Sequence, residues 1–162
     1  MPRKNRRMKI EYRKRLGFNP RRYMNDGPDE GRRSKPPTRR HIGPVVRGAV
    51  WFADLGAYNG TSVQYGCRPV VIISNDIGNS HADVLVVLPM TTHLKKPNQP
   101  THVTLSSSDL MDDNPSNRFQ TSMVLAEQIT TISKSALCSY IGRMTGAAME
   151  RIDAAVRVQL GV

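Results

Sequence analysis

The chain has 162 residues, with 24 Lys and Arg against 13 Asp and Glu, and a formal net charge of +11, which allows one compact domain with additional chain. Its two cysteines, Cys67 and Cys138, are far apart and lack metal-ligand spacing, so neither a zinc site nor a disulfide framework is indicated. The longest apolar run is too short to cross a bilayer, and no apolar stretch follows the basic N-terminus. We therefore expect a cytoplasmic protein without membrane contact.

The positive charge is concentrated at the N-terminus. Residues 1–47 hold 16 Lys and Arg and 4 Asp and Glu, a net charge of +12, whereas residues 48–162 hold 8 and 9, a net charge of −1. Residues 1–46 also contain six prolines and little apolar periodicity, so they cannot bury enough surface to offset their ordering entropy. We predict a disordered basic arm at 1–46 and a folded domain at 47–162. The arm either attracts phosphate, on nucleic acid or an anionic membrane, or is a solvated tail without a specific partner.

From residue 47 onward the apolar pattern predicts a mainly β fold. Strands are expected at residues 50–53, 69–73, 84–88, 101–105, 121–129 and 139–141, with a loop at 56–66 and a turn at 75–79. Ser133 is expected to cap a short helical turn, and Thr145 a terminal helix that ends at Gly161. That helix has an apolar stripe of Met149, Ile152, Val156 and Leu160. These elements predict a curled antiparallel sheet or small barrel with a C-terminal helix.

The sequence contains few recognisable catalytic motifs. It lacks a nucleophile elbow, a phosphate-binding glycine loop and a zinc-protease helix motif. Its acidic residues are scattered at strand ends and turns, so we expect neither a metal site nor a cofactor. RNA offers a metal-independent reaction, because its 2′-hydroxyl can attack the adjacent phosphate. Such an enzyme needs a cation, hydrogen-bond donors and groups that move two protons.

Arg68 is the strongest candidate for that cation. It opens a buried apolar strand directly after a glycine-containing loop and before Pro69. A guanidinium in this place is suited to bidentate contact with a phosphate. The alternative is a structural charge that pairs with Asp76 or Glu127.

Hydroxyl and imidazole groups follow the next buried strands. Thr91 and Thr92 lie just past the predicted strand at 84–88, where a hydroxyl either donates to a phosphate oxygen or caps the loop. His93 and His102 are proton carriers by residue type, although a histidine in a strand or loop is more often structural.

Five blocks of the sequence, in order and at compatible spacing, resemble the MazF/PemK family of toxins. They are Arg47-Gly48-x-Val50-Trp51-Phe52-Ala53-Asp54-Leu55, Gly66-x-Arg68-Pro69-Val70-Val71 with Ser74-Asn75-Asp76-x-Gly78-Asn79, Pro100-Thr101-His102-Val103, Leu125-x-Glu127-Gln128-Ile129-x-Thr131-Ile132, and the terminal helix ending Leu160-Gly161. The resemblance implies an SH3-like small barrel of antiparallel strands with a C-terminal helix, as in CcdB and PemK. It also implies a homodimer, sequence-specific cleavage of single-stranded RNA that leaves a cyclic phosphate, and neutralisation by a cognate antitoxin protein.

The resemblance also assigns roles to individual residues. The family's essential arginine falls on Arg68 and its essential threonine on Thr91, counted back from Pro100. In the loop, Val63 stands where the family has an acidic residue. The substrate-binding set that this implies, with the residues just past the strand, is Ser62, Gln64, Thr92 and His93.

Another reading gives the protein no enzymatic role. The barrel would be a catalytically silent scaffold, and the protein would act as a nucleic-acid-binding or regulatory module through residues 1–46. An RNA cleavage assay and the salt dependence of binding by the arm discriminate between the two readings.

Overall fold

A computed structural model describes residues 43–57, 62–111 and 119–162. The predicted arm therefore lies outside the described residues except for its last four. Within these ranges the eight strands are β1 (Ala49–Asp54), β2 (Cys67–Ile72), β3 (Val84–Thr91), β4 (His102–Leu105), β5 (Leu110–Met111), β6 (Ser122–Leu125), β7 (Thr130–Ser133) and β8 (Leu137–Met144). The helices are α1 (Asp76–His81) and α2 (Gly146–Leu160), and 3-10 turns span Ser107–Asp109, Ala126–Gln128 and Lys134–Ala136.

The strands form one antiparallel sheet in the order β4-β6-β3-β2-β1-β8-β5, and β7 also pairs with β3. Besides β2, β3 pairs with two further strands, one after the other along its length. Val84–Val87 pairs with β7, whereas Met90 and Thr91 pair with β6. The pairing of β1 with β8 is interrupted by two register shifts, which increase local twist. The sheet therefore curls into a half-barrel, and the predicted mainly β fold with a C-terminal helix is confirmed.

The core has two clusters because side chains alternate between the faces of the sheet. In β2, for example, Val71 belongs to the first cluster, whereas Val70 and Ile72 belong to the second. α2 packs on the first cluster, and the second contains Trp51 of β1 and Val87 of β3.

The termini of α2 follow the sequence prediction, and so does its buried face except at Leu160. Thr145 caps the helix by accepting from the Ala148 amide at 3.2 Å, and Gly161 ends it with φ +71°. The fully buried residues of the helix are Ala148, Ile152 and Ala155, whereas Leu160 of the predicted stripe is 54% exposed. Ile152 of the predicted stripe is buried, and Met149 and Val156 pack against the first cluster. The buried face therefore combines three residues of the stripe with the two alanines.

Three other predicted elements need correction. The strand expected at residues 121–129 ends at Leu125, and a 3-10 turn, Ala126–Gln128, separates it from the unpredicted β7. The strand expected at 139–141 is the eight-residue β8. The turn expected at 75–79 is α1, which Asn75 caps by accepting from the Gly78 amide at 2.7 Å.

Contacts with the domain begin before residue 47. The carbonyl of Pro44 accepts from Trp51 Nε1 at 3.1 Å, and Val45 and Val46 pack against the second cluster. A Cβ atom on Gly43 would lie 2.7 Å from the Cβ of Tyr140. Residues 43–46, which the sequence analysis assigns to the arm, thus belong to the packed domain. The structure describes no helix that is long and apolar enough to span a membrane in these ranges.

Candidate active site

The loop before β2 is closed at its base by backbone hydrogen bonds. The Leu55 amide donates to the carbonyl of Gly66 at 3.1 Å, and the Gly66 amide donates to the carbonyl of Gly56 at 2.7 Å. Gly66 has φ +70°, although a side chain there would have open space. The left-handed backbone, and not a lack of space, therefore favours glycine at this position. It turns the chain directly into Cys67 and Arg68, so the loop base fixes where β2 begins.

Arg68 is held by two neutral oxygen acceptors. Its Nε donates to the carbonyl of Tyr65 at 2.8 Å, and its Nη1 donates to the side-chain oxygen of Gln64. Burial lowers the pKa of the Arg68 guanidinium, and the side chains of Tyr65 and Cys67 partly oppose that shift. A guanidinium keeps its charge at neutral pH in proteins, so Arg68 is a cation.

The acidic partners proposed for Arg68 are engaged elsewhere. Asp76 accepts from the backbone amide of Arg47 at 2.6 Å, and Glu127 pairs with His102 at 2.9 Å. Within residues 43–57, 62–111 and 119–162, Arg68 is in no ion pair. Its charge is thus oriented but not neutralised.

The register of the sheet brings Thr91 level with Arg68. β2 and β3 pair as far as Val70 opposite Pro89, and continuing this register by two residues puts Arg68 opposite Thr91. The ladder stops there because Pro69 and Pro89 have no amide hydrogen. Alternation also assigns both side chains to the face of the second core cluster.

The other predicted residues flank this pair. The Thr91 Oγ1 accepts from the His93 amide at 3.1 Å, so Thr91 caps the loop and keeps its own hydroxyl hydrogen. Thr92 and the His93 side chain are exposed. Ser62 is exposed in the loop, and Gln64 is the half-buried acceptor for Arg68.

A cavity of about 230 Å³ lies beside the first loop, and its walls include Gln64, which binds Arg68, and Pro89, two residues before Thr91, but neither Arg68 nor Thr91. This is smaller than pockets for drug-sized ligands, which measure about 300 to 1,000 Å³, and it suits a smaller planar or polar group. The lining residues are Asp54, Leu55, Val63, Gln64, Pro89, Gln128, Thr130, Thr131, Ile132, Ser133 and Ala136.

Residues 46–160 match the family described as the PemK-like, MazF-like toxin of type II toxin-antitoxin system. The chain belongs to this family. Endoribonuclease EndoA of Bacillus subtilis is 36% identical over 118 residues, which cover 73% of this chain and 96% of that protein. Endoribonuclease MazF of Staphylococcus saprophyticus is 35% identical over 116 residues, 72% of this chain and 91% of that protein.

A solved structure supports the same membership. An endoribonuclease from a mycobacterial species, in complex with its cognate antitoxin, aligns with a TM-score of 0.57 and 32% identity. The alignment covers 74% of this chain and 97% of that chain. The PemK/MazF fold thus spans the described domain, from strand β1 to helix α2.

Sequence reasoning assigned no role to two residues that bind the loop to the sheet. The Gln128 side-chain oxygen accepts from the Gln64 amide at 2.7 Å, and its nitrogen donates to the carbonyl of Ser62 at 3.2 Å. Tyr65 is 45% exposed, and its carbonyl orients Arg68. The Glu127-Gln128-Ile129 block marked Gln128 as part of the resemblance, but its partners are 64 and 66 residues away and only the fold reveals them.

His102 does not occupy the position of an exposed proton carrier. Its side chain is 7% exposed and lies between Glu127 and the carbonyls of Lys95 and Lys96. Of the residues that the structure describes, no three His, Cys, Asp or Glu side chains converge on a possible metal site.

Proposed function

We propose that this toxin-family protein is an endoribonuclease that cuts single-stranded RNA at a specific sequence without a metal ion. The observation that carries the proposal is the environment of Arg68, a half-buried guanidinium with two neutral acceptors and no ion-pair partner in the described ranges. Such a cation is available to bind a substrate phosphate. An arginine paired with a carboxylate could not do so without losing that partner.

The proposed reaction is transfer of the phosphate to the neighbouring ribose oxygen. The 2′-hydroxyl gives up its proton as its oxygen forms a bond to phosphorus. The bond from phosphorus to the 5′-oxygen breaks and the leaving oxygen gains a proton, so no proton is gained or lost overall. The products carry a cyclic phosphate and a 5′-hydroxyl, and neither water nor a redox partner is consumed.

Arg68 and Thr91 have distinct roles in this reaction. Nη2 of Arg68, at the free end of the fork, stabilises the extra negative charge of the phosphorane, and the pKa that burial lowers makes Arg68 a better proton donor to the leaving oxygen. The Thr91 hydroxyl donates to a non-bridging phosphate oxygen. Ser62, Gln64, Thr92 and His93 surround the pair and contact the adjoining nucleotides, and the 230 Å³ cavity has room for a base.

The proposed partners follow from family membership. The mycobacterial relative binds its cognate antitoxin, and we propose that an antitoxin likewise neutralises this chain. A homodimer is part of the same proposal. We also propose a cytoplasmic location, since messenger RNA is the proposed substrate.

The chemistry is tested with one RNA in two forms. The wild-type protein should cut an RNA oligonucleotide that contains its mapped site, and excess EDTA should not slow it. The same oligonucleotide with a single 2′-O-methyl group at the cut should be inert. Cleavage of the methylated RNA would rule out internal attack, whereas loss of activity in EDTA would restore a metal mechanism. If neither RNA is cut by folded protein, the silent-scaffold reading is favoured.

A further inference from the structure

The ring of His102 is buried between acceptors on two different elements. Nδ1 lies 2.9 Å from the carbonyl oxygen of Lys96 and 3.2 Å from that of Lys95, and Nε2 lies 2.9 Å from Glu127 Oε1. Carbonyl oxygens only accept, so Nδ1 carries a hydrogen and donates it to the turn. His102 is the first residue of β4, so its ring ties the turn at Lys95 and Lys96 to the sheet.

Two hydrogen bonds lead from this turn back to Thr91. The Lys95 amide donates to the carbonyl of His93 at 2.9 Å, and the His93 amide donates to the Thr91 Oγ1 at 3.1 Å. The position of the His93 amide thus determines how the Thr91 side chain is turned. Since Oγ1 accepts in that bond, the hydroxyl hydrogen remains available to an oxygen of the substrate.

The turn depends on contacts of this kind for its shape. Lys96 has φ +51°, and no other non-glycine residue in the described ranges has a positive φ. A residue with a side chain keeps that conformation only where its surroundings impose it. Residues 92–98 are all exposed, so little packing constrains them. The Gln99 amide, which donates to Lys96 at 3.0 Å, and the His102 ring are the groups that hold this carbonyl.

We propose that His102 is a positioning residue for the Thr91 hydroxyl, acting through the turn at Lys95 and Lys96 and the amide of His93. The inference rests on the proposed function, in which that hydroxyl donates to the substrate phosphate. His102 does not touch RNA in this arrangement. Arg68, Ser62 and Gln64 keep their positions in β2 and the first loop, whereas Thr92 and His93 lie beside the turn that His102 holds. Its loss should therefore lower kcat by a larger factor than it raises KM.

Two amide variants separate the contacts of the ring. The amide nitrogen of asparagine lies where histidine has Nδ1, whereas that of glutamine lies near Nε2. His102→Asn therefore keeps the bond to the turn, and His102→Gln keeps only the bond to Glu127. We expect His102→Gln to lower kcat roughly tenfold with KM within about twofold, because a misdirected donor costs less than a deleted one. His102→Asn should stay within about threefold of the wild-type kcat.

Combining these variants with Thr91→Val distinguishes positioning from general destabilisation. Valine has the shape of threonine without the hydroxyl, so Thr91→Val removes the group that His102 is proposed to orient. The double variant Thr91→Val/His102→Gln should be no slower than Thr91→Val alone. A structural role for His102 would instead multiply the two losses.

The assay measures kcat and KM on the mapped RNA oligonucleotide, with melting curves for every variant. Wild-type kcat in His102→Gln, equal losses in the two amide variants, or multiplied losses in the double variant would each overturn the inference. If the melting curve shows that His102→Gln is unfolded, the test passes to His102→Asn, where more than a threefold loss in folded protein overturns it. Wild-type kcat in Thr91→Val would refute the proposed role of Thr91, and with it this inference. Loss in Thr91→Val without loss in His102→Gln would refute the inference alone.

Discussion

The acceptors around Arg68 determine which of its hydrogens are available. Tyr65 and Gln64 take the Nε hydrogen and one Nη1 hydrogen, so the guanidinium plane is fixed while the Nη2 end of the fork faces away from them. A preorganised donor of this kind contributes to catalysis because it needs no reorientation when charge develops on the phosphate. A lysine at the same position would keep the charge, but its donors are on a single nitrogen at the end of a flexible stem, without the planar fork.

This difference predicts a graded effect of two substitutions at residue 68. Arg68→Ala should lower kcat by at least a hundredfold, or about 3 kcal/mol of transition-state stabilisation. Arg68→Lys should also be slow, by at least about tenfold, since the planar fork is lost. Single-turnover cleavage with the enzyme in saturating excess over RNA measures the chemical step. Arg143→Lys, an exposed position of β8, controls for the change of residue type. A wild-type rate in Arg68→Lys would exclude bidentate stabilisation.

The sequence predicts those residues of the candidate site whose alignment depends on strand register. The blocks that resemble the family give Arg68 and Thr91, and the pairing of β2 with β3 then aligns them. The sequence does not predict contacts between segments that are distant along the chain, such as Gln128 with the first loop or His102 with Glu127. Nothing in a local pattern specifies those partners, because they depend on how the sheet curls.

At the scale of elements, the 3-10 turn Ala126–Gln128 joins the two loops of the candidate site. Gln128 holds the first loop through Gln64, and Glu127 holds the second through His102. The same turn explains the wrong prediction of one long strand at residues 121–129. The buried strands β1, β2 and β3 were predictable because their apolar runs are continuous. After Leu125 the apolar residues Ala126 and Ile129 suggest a continuing strand, but the backbone turns and places the polar side chains of Glu127 and Gln128 beside the two loops.

A second set of hydrogen bonds, centred on Asp109, connects α2 with the segment between β4 and β5. Its carboxylate accepts from the Ser106 amide at 2.9 Å and from Arg151 of α2, which also donates to the Thr104 carbonyl at 3.1 Å. Burial opposes ionisation of Asp109, but the bonds from Ser106 and Arg151 outweigh it and hold the pKa of the carboxyl below its ordinary value. The charged form is therefore favoured in the folded protein.

This lowered pKa predicts a pH-dependent loss of stability in Asp109→Asn. A depressed folded pKa stabilises the fold fully above the unfolded pKa, and the contribution disappears as pH falls through the folded value. The variant should be less stable than wild type at pH 7, by about 1 kcal/mol or less because solvent screens the partly exposed pair. The difference should shrink as the pH falls below about 4.

Urea unfolding of both proteins between pH 7 and pH 3 measures the effect. Glu150→Gln, an exposed change in the first turns of α2, has the same effect on net charge and serves as the control. A stability difference between wild type and Asp109→Asn that stayed constant with pH would show that the charge of Asp109 is not the source of the effect.

At the scale of the whole molecule, charge is divided between two parts of the chain. Residues 1–42 carry 15 Lys and Arg against 4 Asp and Glu, whereas residues 48–162 are nearly neutral. The candidate site thus depends on a few oriented groups, and it does not attract RNA through a strongly basic surface of its own. Long-range attraction to a polyanion would come mainly from the N-terminal residues.

Removing residues 1–42 should therefore flatten the salt dependence of RNA binding without moving the cut site. The deletion ends before Gly43 because Pro44, Val45 and Val46 contact the domain. If about half of the net charge of +11 in residues 1–42 reaches phosphates, the log–log slope of affinity against salt should fall by about three to four units, at roughly 0.7 per contact on a single strand. Binding of 2′-O-methyl RNA by the full-length and shortened proteins across a salt series measures that slope.

Removing residues 1–20 alone, which carry a net charge of +7, should give an intermediate slope. Equal slopes in all three proteins would mean that the arm does not touch RNA. A shortened protein that cut at a different sequence would assign part of the specificity to the arm.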